Sequence, residues 1–538
     1  MTGLFFEELA VNVFKARSLN IIDDLSINER KWFFQKVYEL KKAIIEDDKE
    51  AMDSFRINDP DFGIYEVFLE DSTRTKESFR NAAKFHHAKV SELLTSASSI
   101  NKGESYADTF NMLTGYSNSI FIVRSRVEGL TKWLSEECQS YAERNNLPYR
   151  SAFINAGDGK HEHPTQELLD EFSFLEDLDM SFDYIHVALV GDLYHGRTVH
   201  SKADGLRIFS RVKVDLVAPP LLMMPENYIE KMRENGYEVS IYDSIEQYVK
   251  TAKPAKLWYF TRPQLERMGE RVLQVQETLR SAITFRKEFI PYIDPDSKFY
   301  HPLPRHKEHP TIPTWLDDTS FNAWERQAIN GMYCRIVLLS MIAGKIGDDY
   351  VPQPEDAHED LETEEYIIEA EPKHTHKAAK YSEGVRPIAN GIVIDHICKG
   401  DTPGEIRDHM RLISSVLDLD DGRGGEWVSR GSDGQCKGII FRPEARTFER
   451  KDLKRLAAVA PHCTLNIVKD GSIVEKYRTH LPPRIYNFDD LCCTNEACIS
   501  NPANGEGTPA EFHRTKDGHF ECKYCGCFHT FKEIWRKH

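Results

Sequence analysis

One local pattern constrains this chain more than any other: a short apolar run that ends where a helix begins, repeated downstream. Ile64-Tyr-Glu-Val-Phe-Leu69 reads as a buried strand and runs directly into Glu70-Asp-Ser-Thr-Arg-Thr-Lys-Glu-Ser-Phe-Arg80. Behind it, Ser78–Leu94 carries apolar residues at helical spacing. Ser72 and Thr73 therefore stand where a helix exposes unpaired N–H groups and the positive end of its dipole. Hydroxyls, free amides and the fixed cation Arg74 make a cradle for phosphate. The bland alternative is an ordinary N-cap followed by solvated charges.

Similar units follow. Ser119-Ile-Phe-Ile-Val123 reads as a strand ending at Arg124, and Ile185–Val190 as another, followed by a loop that carries Arg197. Val212–Ala218 and Tyr237–Ile241 look like further strands, and Leu257-Trp-Tyr-Phe260 runs into Thr261-Arg-Pro-Gln264. Open α/β sheets place ligand-binding groups at the carboxyl ends of their strands. The alternation predicts two doubly wound, parallel-sheet halves. Asn155-Ala-Gly-Asp-Gly159 reads as a turn-rich loop, and His163-Pro-Thr-Gln166 as the opening of a helix. Residues 20–47 read as an opening helix and Trp324–Ile346 as a long closing one.

At 538 residues the chain has room for three or four domains. A net charge of −17 argues against sequence-independent binding of nucleic acid, though anionic small substrates remain open where arginines converge. No uncharged apolar run is long enough to span a membrane, and the first residues lack a signal-peptide pattern, so a cytoplasmic protein is expected. Acidic residues dominate 348–384 without an apolar period, which reads as a linker. Past it, Gly391–Ile397 is the clearest strand and Lys451–Val459 the clearest helix.

Six of the eleven cysteines fall between Cys492 and Cys527. Cys493-x4-Cys498 and Cys522-x2-Cys525 supply two ligand pairs of the kind a closed, structural tetrathiolate zinc site requires, one ion per chain. Cys492 and Cys527 leave open which member of each cluster binds.

The ordered set Ser72-Thr-Arg-Thr75, Arg124, His163-Pro-Thr-Gln166, Arg197, Arg262-Pro-Gln264 and His301-Pro-Leu-Pro-Arg305 resembles the catalytic chain of aspartate carbamoyltransferases, from about residue 18 to 347. From about 385 onward the chain is similar to the regulatory chain of the same family, so it looks like a fusion of the two. The resemblance implies a carbamoyl-phosphate subdomain at 1–164, completed by a helix at about 320–347, and an aspartate subdomain at 165–320. It further implies a linker at 348–384, a regulatory α+β domain at 385–485 and a zinc subdomain at 486–538, with Cys493 and Cys525 as the family's register.

Roles follow from the same resemblance. Ser72, Thr73, Arg74, Thr75 and Arg124 would hold the phosphate, while Thr75, Arg124 and His163 would stabilise the oxyanion and Gln166 would orient the carbamoyl amide. The backbone at Pro302 and Leu303 would meet the carbamoyl NH2, and Arg197, Arg262 and Gln264 would clamp aspartate. Ser98 and Lys102 match residues that reach a neighbouring subunit's site, which implies at least a catalytic trimer. The chemistry itself needs no metal. Glu70 would orient an arginine, and Lys76 stands where a second arginine is common in the family. Asp395, His396, Lys437 and Lys476 match a nucleoside triphosphate effector site, with Phe441 where a further lysine is expected. Ornithine carbamoyltransferase is the nearest rival, but Pro302 replaces the cysteine of its substrate loop, and paired arginines suit a diacid. A non-catalytic metabolite sensor on the same fold is the other alternative.

Overall fold

The computed structural model describes residues 12–59, 61–93, 100, 103–116, 118–251, 253–264, 275–356, 365–371, 388–419, 424–430, 434–443 and 448–535. The chain divides into two compact units. One comprises residues 1–358 with 497–499 and 504–506, and the other the rest of 359–538.

The first unit holds two parallel sheets. Strands β1 (Gly63–Phe68), β2 (Lys89–Glu92), β3 (Ile120–Ser125) and β4 (Ala152–Asp158) lie in the order β2-β1-β3-β4. Strands β5 (Tyr184–Val190), β6 (Arg211–Val217), β7 (Glu238–Tyr242), β8 (Leu257–Phe260) and β9 (Lys298–Tyr300) lie in the order β7-β6-β5-β8-β9. The expected pair of doubly wound sheets is present. In each, strand order reverses once, between β1 and β3 in the first and between β5 and β8 in the second. Loops leave such a switch point in opposite directions and open a crevice at the strands' carboxyl ends.

Local sequence accounts for the helices around these sheets. The helix Ile27–Ile45 starts later than residue 20 because Ser26 and Glu29 form a reciprocal capping box; Asp23 and Asp24 lie in a short 3-10 turn ahead of it. Trp324–Ile342 buries Ile336 to Ile342 and packs against the helices Ile27–Ile45, Thr73–Phe85 and Pro164–Asp177. That helix therefore ties the last part of the unit to the first sheet's layer.

Three expectations are corrected. The helix predicted over Ser78–Leu94 is Thr73–Phe85, and β2 follows it as an exposed edge strand pairing with β1. The stretch Asn155–Gly159 is no loop, since β4 continues through Asp158 alongside β3. The acidic 348–384 stretch is not linker throughout. Asp356 accepts hydrogen bonds from Ser26 Oγ at 2.6 Å and the Tyr350 hydroxyl at 2.6 Å, and Ile367–Glu369 (β10) is a strand of the second unit.

In that unit β10, β11 (Gly391–Ile397), β12 (Gly425–Arg430), β13 (Cys436–Pro443), β14 (Thr464–Lys469) and β15 (Ser472–Thr479) form an antiparallel sheet in the order β10-β15-β14-β11-β13-β12. The helices Pro403–Val416 and Arg450–Val459 accompany it. A small antiparallel sheet of β16 (Arg484–Tyr486), β17 (Glu511–Arg514), β18 (Phe520–Cys522) and β19 (Phe528–His529) follows. No helix among the described residues is long and apolar enough to cross a membrane.

Candidate active site

The two switch points face one cavity of about 500 Å3 in the first unit. Ser72, Thr73, Arg74 and Thr75 line it from the loop and helix that follow β1, and Arg124 from the end of β3. Arg197 follows β5, Arg262 and Gln264 follow β8, and Pro302 and Leu303 follow β9. His163 and Gln166 enter at the start of the helix Pro164–Asp177. Every candidate substrate residue within the described part of the first unit thus lines the same space. Ser98 and Lys102 lie outside the described residues.

Ser72 is the N-cap of Thr73–Phe85, yet its side chain makes no capping bond to that helix. The first-turn N–H groups and the dipole's positive end are left for a ligand in the cavity. Arg74 is exposed to the cavity, and desolvation lowers its pKa. Arg124 donates from Nη1 to the Ala156 carbonyl at 3.0 Å, and its Nη2 lies 3.4 Å from Glu70 Oε2. Burial first, and then Arg197, bring its pKa down to about 10, against the opposing pull of Glu70. Arg197 donates from Nη1 to the Gly159 carbonyl at 2.6 Å. Arg197 and Arg124 thus repel each other across the cavity, which favours an anion there.

His163 is buried, and desolvation, followed by Arg197, Arg124 and Arg335, holds its pKa well below the usual histidine value. It is a neutral imidazole at physiological pH. His301 is likewise neutral, pushed down to about 3 by burial and then by Arg305, Arg74 and Arg262. Its Nδ1 accepts the Leu303 N–H at 2.8 Å, and this sets the turn that presents Pro302 and Leu303. Gln264 is fixed by its N–H to Asp192 Oδ2 at 2.8 Å and its Nε2 to the His195 carbonyl at 3.2 Å.

Several lining residues were not among the candidates. Arg335 donates to Ser78 Oγ at 2.8 Å and Thr165 Oγ1 at 3.2 Å, and burial lowers its pKa to about 10. Gln327, His195, Thr198 and Thr261 also line the cavity. Arg335 carried a signal in the sequence, as a lone cation in the apolar run Met332-Tyr-Cys-Arg-Ile-Val-Leu-Leu339. Lys76 turns away into ion pairing with Glu92, which also pairs with Arg80.

The ligand atoms of Cys493, Cys498, Cys522 and Cys525 lie within 4.8 Å of one another, all four residues buried. Cys492 and Cys527 are less buried and outside that group. Zinc–sulfur bonds of about 2.3 Å in a tetrahedron place sulfurs roughly 3.8 Å apart. The Cys493–Cys525 sulfur separation of 3.6 Å fits such an ion. Asp395 at the end of β11 pairs with Lys437 at 2.8 Å, and its carboxylate lies 3.6 Å from His396 Nδ1. His396 is lowered by burial and, among charges, by Lys437, Lys399 and Lys476, so the four effector candidates share one neighbourhood.

Comparisons with known proteins agree with this geometry. Residues 17–176 match the model of the aspartate/ornithine carbamoyltransferase carbamoyl-P binding domain, and 183–342 that of the Asp/Orn binding domain. Residues 383–480 match the allosteric domain of the aspartate carbamoyltransferase regulatory chain, and 483–535 its metal binding domain. The chain is 66% identical to Protein PyrBI of Treponema denticola over 97% of this chain and 99% of that protein. Protein PyrBI of Thermotoga maritima is 51% identical, covering 97% and 99%. Among solved structures, aspartate transcarbamoylase of Trypanosoma cruzi with N-(phosphonacetyl)-L-aspartic acid is 28% identical, with a TM-score of 0.52 over 62% of this chain and 97% of that one. These matches cover most of the chain, and the chain belongs to the aspartate carbamoyltransferase family, with the catalytic and regulatory chains joined in one polypeptide.

Proposed function

We propose that this cavity is where the chain, an aspartate carbamoyltransferase, joins carbamoyl phosphate to L-aspartate, giving N-carbamoyl-L-aspartate and phosphate, the committed step of pyrimidine biosynthesis. The convergence of Arg74, Arg124, Arg197 and Arg262 with a neutral His163 on one cavity carries the reading. Phosphate lies on the helix N-terminus at Ser72–Thr75, with Arg74 and Arg124 as its cations. Thr75, Arg124 and His163 donate to the carbonyl oxygen as it becomes an oxyanion. A neutral imidazole suits this, because it adds a donor without removing the proton-accepting capacity of the site. Gln166 accepts from the carbamoyl NH2, and the Pro302–Leu303 backbone meets the same group. Arg197 and Arg262, with Gln264 beside them, take the two carboxylates of aspartate. The neutral α-amine attacks the carbonyl carbon, the new C–N bond forms, the C–O bond to phosphate breaks, and the amine's proton leaves with phosphate. Positioning and oxyanion stabilisation account for the rate.

The tetrathiolate cluster holds zinc as a structural ion, since four thiolate ligands leave no coordination position for substrate. Nucleoside triphosphates bind near Asp395, His396, Lys437 and Lys476 and regulate the enzyme. Ser98 and Lys102 complete a neighbouring subunit's site in a catalytic trimer. Clustering of thiols in a four-cysteine metal site suits the reducing cytoplasm. The test is binding of N-(phosphonacetyl)-L-aspartic acid, which carries both anionic halves of the substrates. It is expected to raise the melting temperature of the wild type, and Arg74→Ala and Arg262→Ala are each expected to abolish that rise. A ligand that stabilises both variants as well as the wild type contradicts the assignment.

A further inference from the structure

Asp170 lies one helical turn after Gln166 and is wholly buried. Its carboxylate accepts four hydrogen bonds, two on each oxygen. Oδ1 takes Gln166 Nε2 at 2.9 Å and Gln327 Nε2 at 2.6 Å. Oδ2 takes Lys202 Nζ at 2.9 Å and the Tyr259 hydroxyl at 2.7 Å. A carboxylate has about four lone-pair positions, so this one is fully used.

Each donor belongs to a different element that leads to a wall of the cavity. Lys202 follows Arg197 by five residues, and Tyr259 precedes Arg262 by three. Gln327 accepts the His301 N–H on its Oε1 at 2.9 Å, ahead of the Pro302–Leu303 turn. Gln166 itself lines the cavity. Lys202, also wholly buried, shares its charge between Asp170 and Glu167 Oε2 at 2.5 Å, which supplies the counter-ion a buried carboxylate needs.

We propose that Asp170 is a positioning residue that holds these four walls in register and sets the rotation of the Gln166 amide. An ionised carboxylate only accepts hydrogen bonds. The NH2 of Gln166 must therefore face Asp170, and its Oε1 is the atom turned to substrate, an acceptor for the carbamoyl NH2. This deepens the reading above and rests on its assignment of Gln166. Asparagine at 170 would turn its own NH2 toward two of the donors and release at least one wall. Displacements near an ångström at a reacting centre cost on the order of 100-fold in rate.

The test compares Asp170→Asn, Gln166→Ala, their double variant and Tyr259→Phe, with kcat, both KM values and melting temperature measured for each. Glu171→Gln is the control: Glu171 is buried on the same helix, bonded to Arg30 at 3.0 Å and absent from the cavity wall. It is expected to lower the melting temperature and leave the kinetic constants unchanged. Asp170→Asn is expected to lower kcat by about 10- to 100-fold. The double variant should be little slower than the slower single, because both changes disturb one amide. If Asp170→Asn fails to fold, Tyr259→Phe, which keeps three of the four donors, should show a several-fold fall in kcat beyond that of the control. Normal kinetics in a folded Asp170→Asn, or losses that multiply in the double variant, overturn the proposal. A fully active Gln166→Ala would instead remove the assignment of Gln166 itself.

Discussion

A methyl group built on Gly157 would fall 2.7 Å from Arg124 Nη1 and 3.1 Å from Arg197 Nη2. Glycine here, at φ +112°, does two things. It permits a backbone conformation that other residues rarely adopt, and it lets a strand end approach two guanidinium groups that line the cavity. Gly157→Ala is expected to destabilise the first unit by about 1–3 kcal/mol and to cost far more in turnover than in stability. Steady-state kinetics beside a denaturant titration separate the two. Loss of both in equal measure would mean that the glycine serves only the backbone.

Arg74→Ala removes the one cation that the helix Thr73–Phe85 carries into the cavity from its first turn. Preorganised donors of this kind are commonly worth roughly 3–4 kcal/mol, so kcat/KM for carbamoyl phosphate should fall by at least that equivalent while the circular dichroism spectrum is kept. Near-normal activity in the folded variant would sink the phosphate assignment.

Acid stability follows from buried histidines. His86 donates from Nε2 to the Ile336 carbonyl at 2.9 Å and accepts the Ile57 N–H, and burial lowers its pKa to about 4. The unfolded chain binds this proton near pH 6.5 and the folded one only near pH 4, so stability is intact above 6.5 and declines between those values. The slope corresponds to about 1.4 kcal/mol per pH unit for one such group. His200, lowered to about 4 by burial, adds to it. His86→Gln keeps a donor and an acceptor without titrating, so its melting temperature should fall less steeply from pH 6.5 to 4 than that of the wild type. Parallel curves would show that His86 does not contribute.

Removing the metal from the four-cysteine cluster with a mercurial and a chelator should release zinc and disrupt the region around Cys493–Cys525 first. Zinc release, sedimentation and carbamoyl transfer followed together test this. Catalysis lost at once, with assembly unchanged, would contradict a structural ion.

The sheets were largely legible in the sequence, because their strands are apolar runs bounded by turn residues. Leu257–Phe260 and Gly391–Ile397 have the same bounds in the structure. Strands without that signature were hidden. Lys89–Glu92 is polar and mostly exposed, and only its parallel pairing with β1 makes it a strand. Asn155–Gly159 has turn composition, but pairing with β3 holds it extended through Asp158. Ile367–Glu369 owes its conformation to β15. In the site, residues with a linear motif were found and those assembled by tertiary contact were not. Asp170, Lys202, Gln327 and Arg335 acquire partners up to 257 positions away, and no local pattern encodes that pairing.

Carbamoyl transfer from carbamoyl phosphate, with L-aspartate and L-ornithine offered in parallel to the full-length protein, tests the central claim most directly. The account predicts carbamoyl-aspartate and no citrulline, because Arg197 and Arg262 match two carboxylates and repel a second amine. Transfer to ornithine would contradict the arginine clamp, and transfer to neither by a folded, zinc-loaded protein would contradict the catalytic reading altogether.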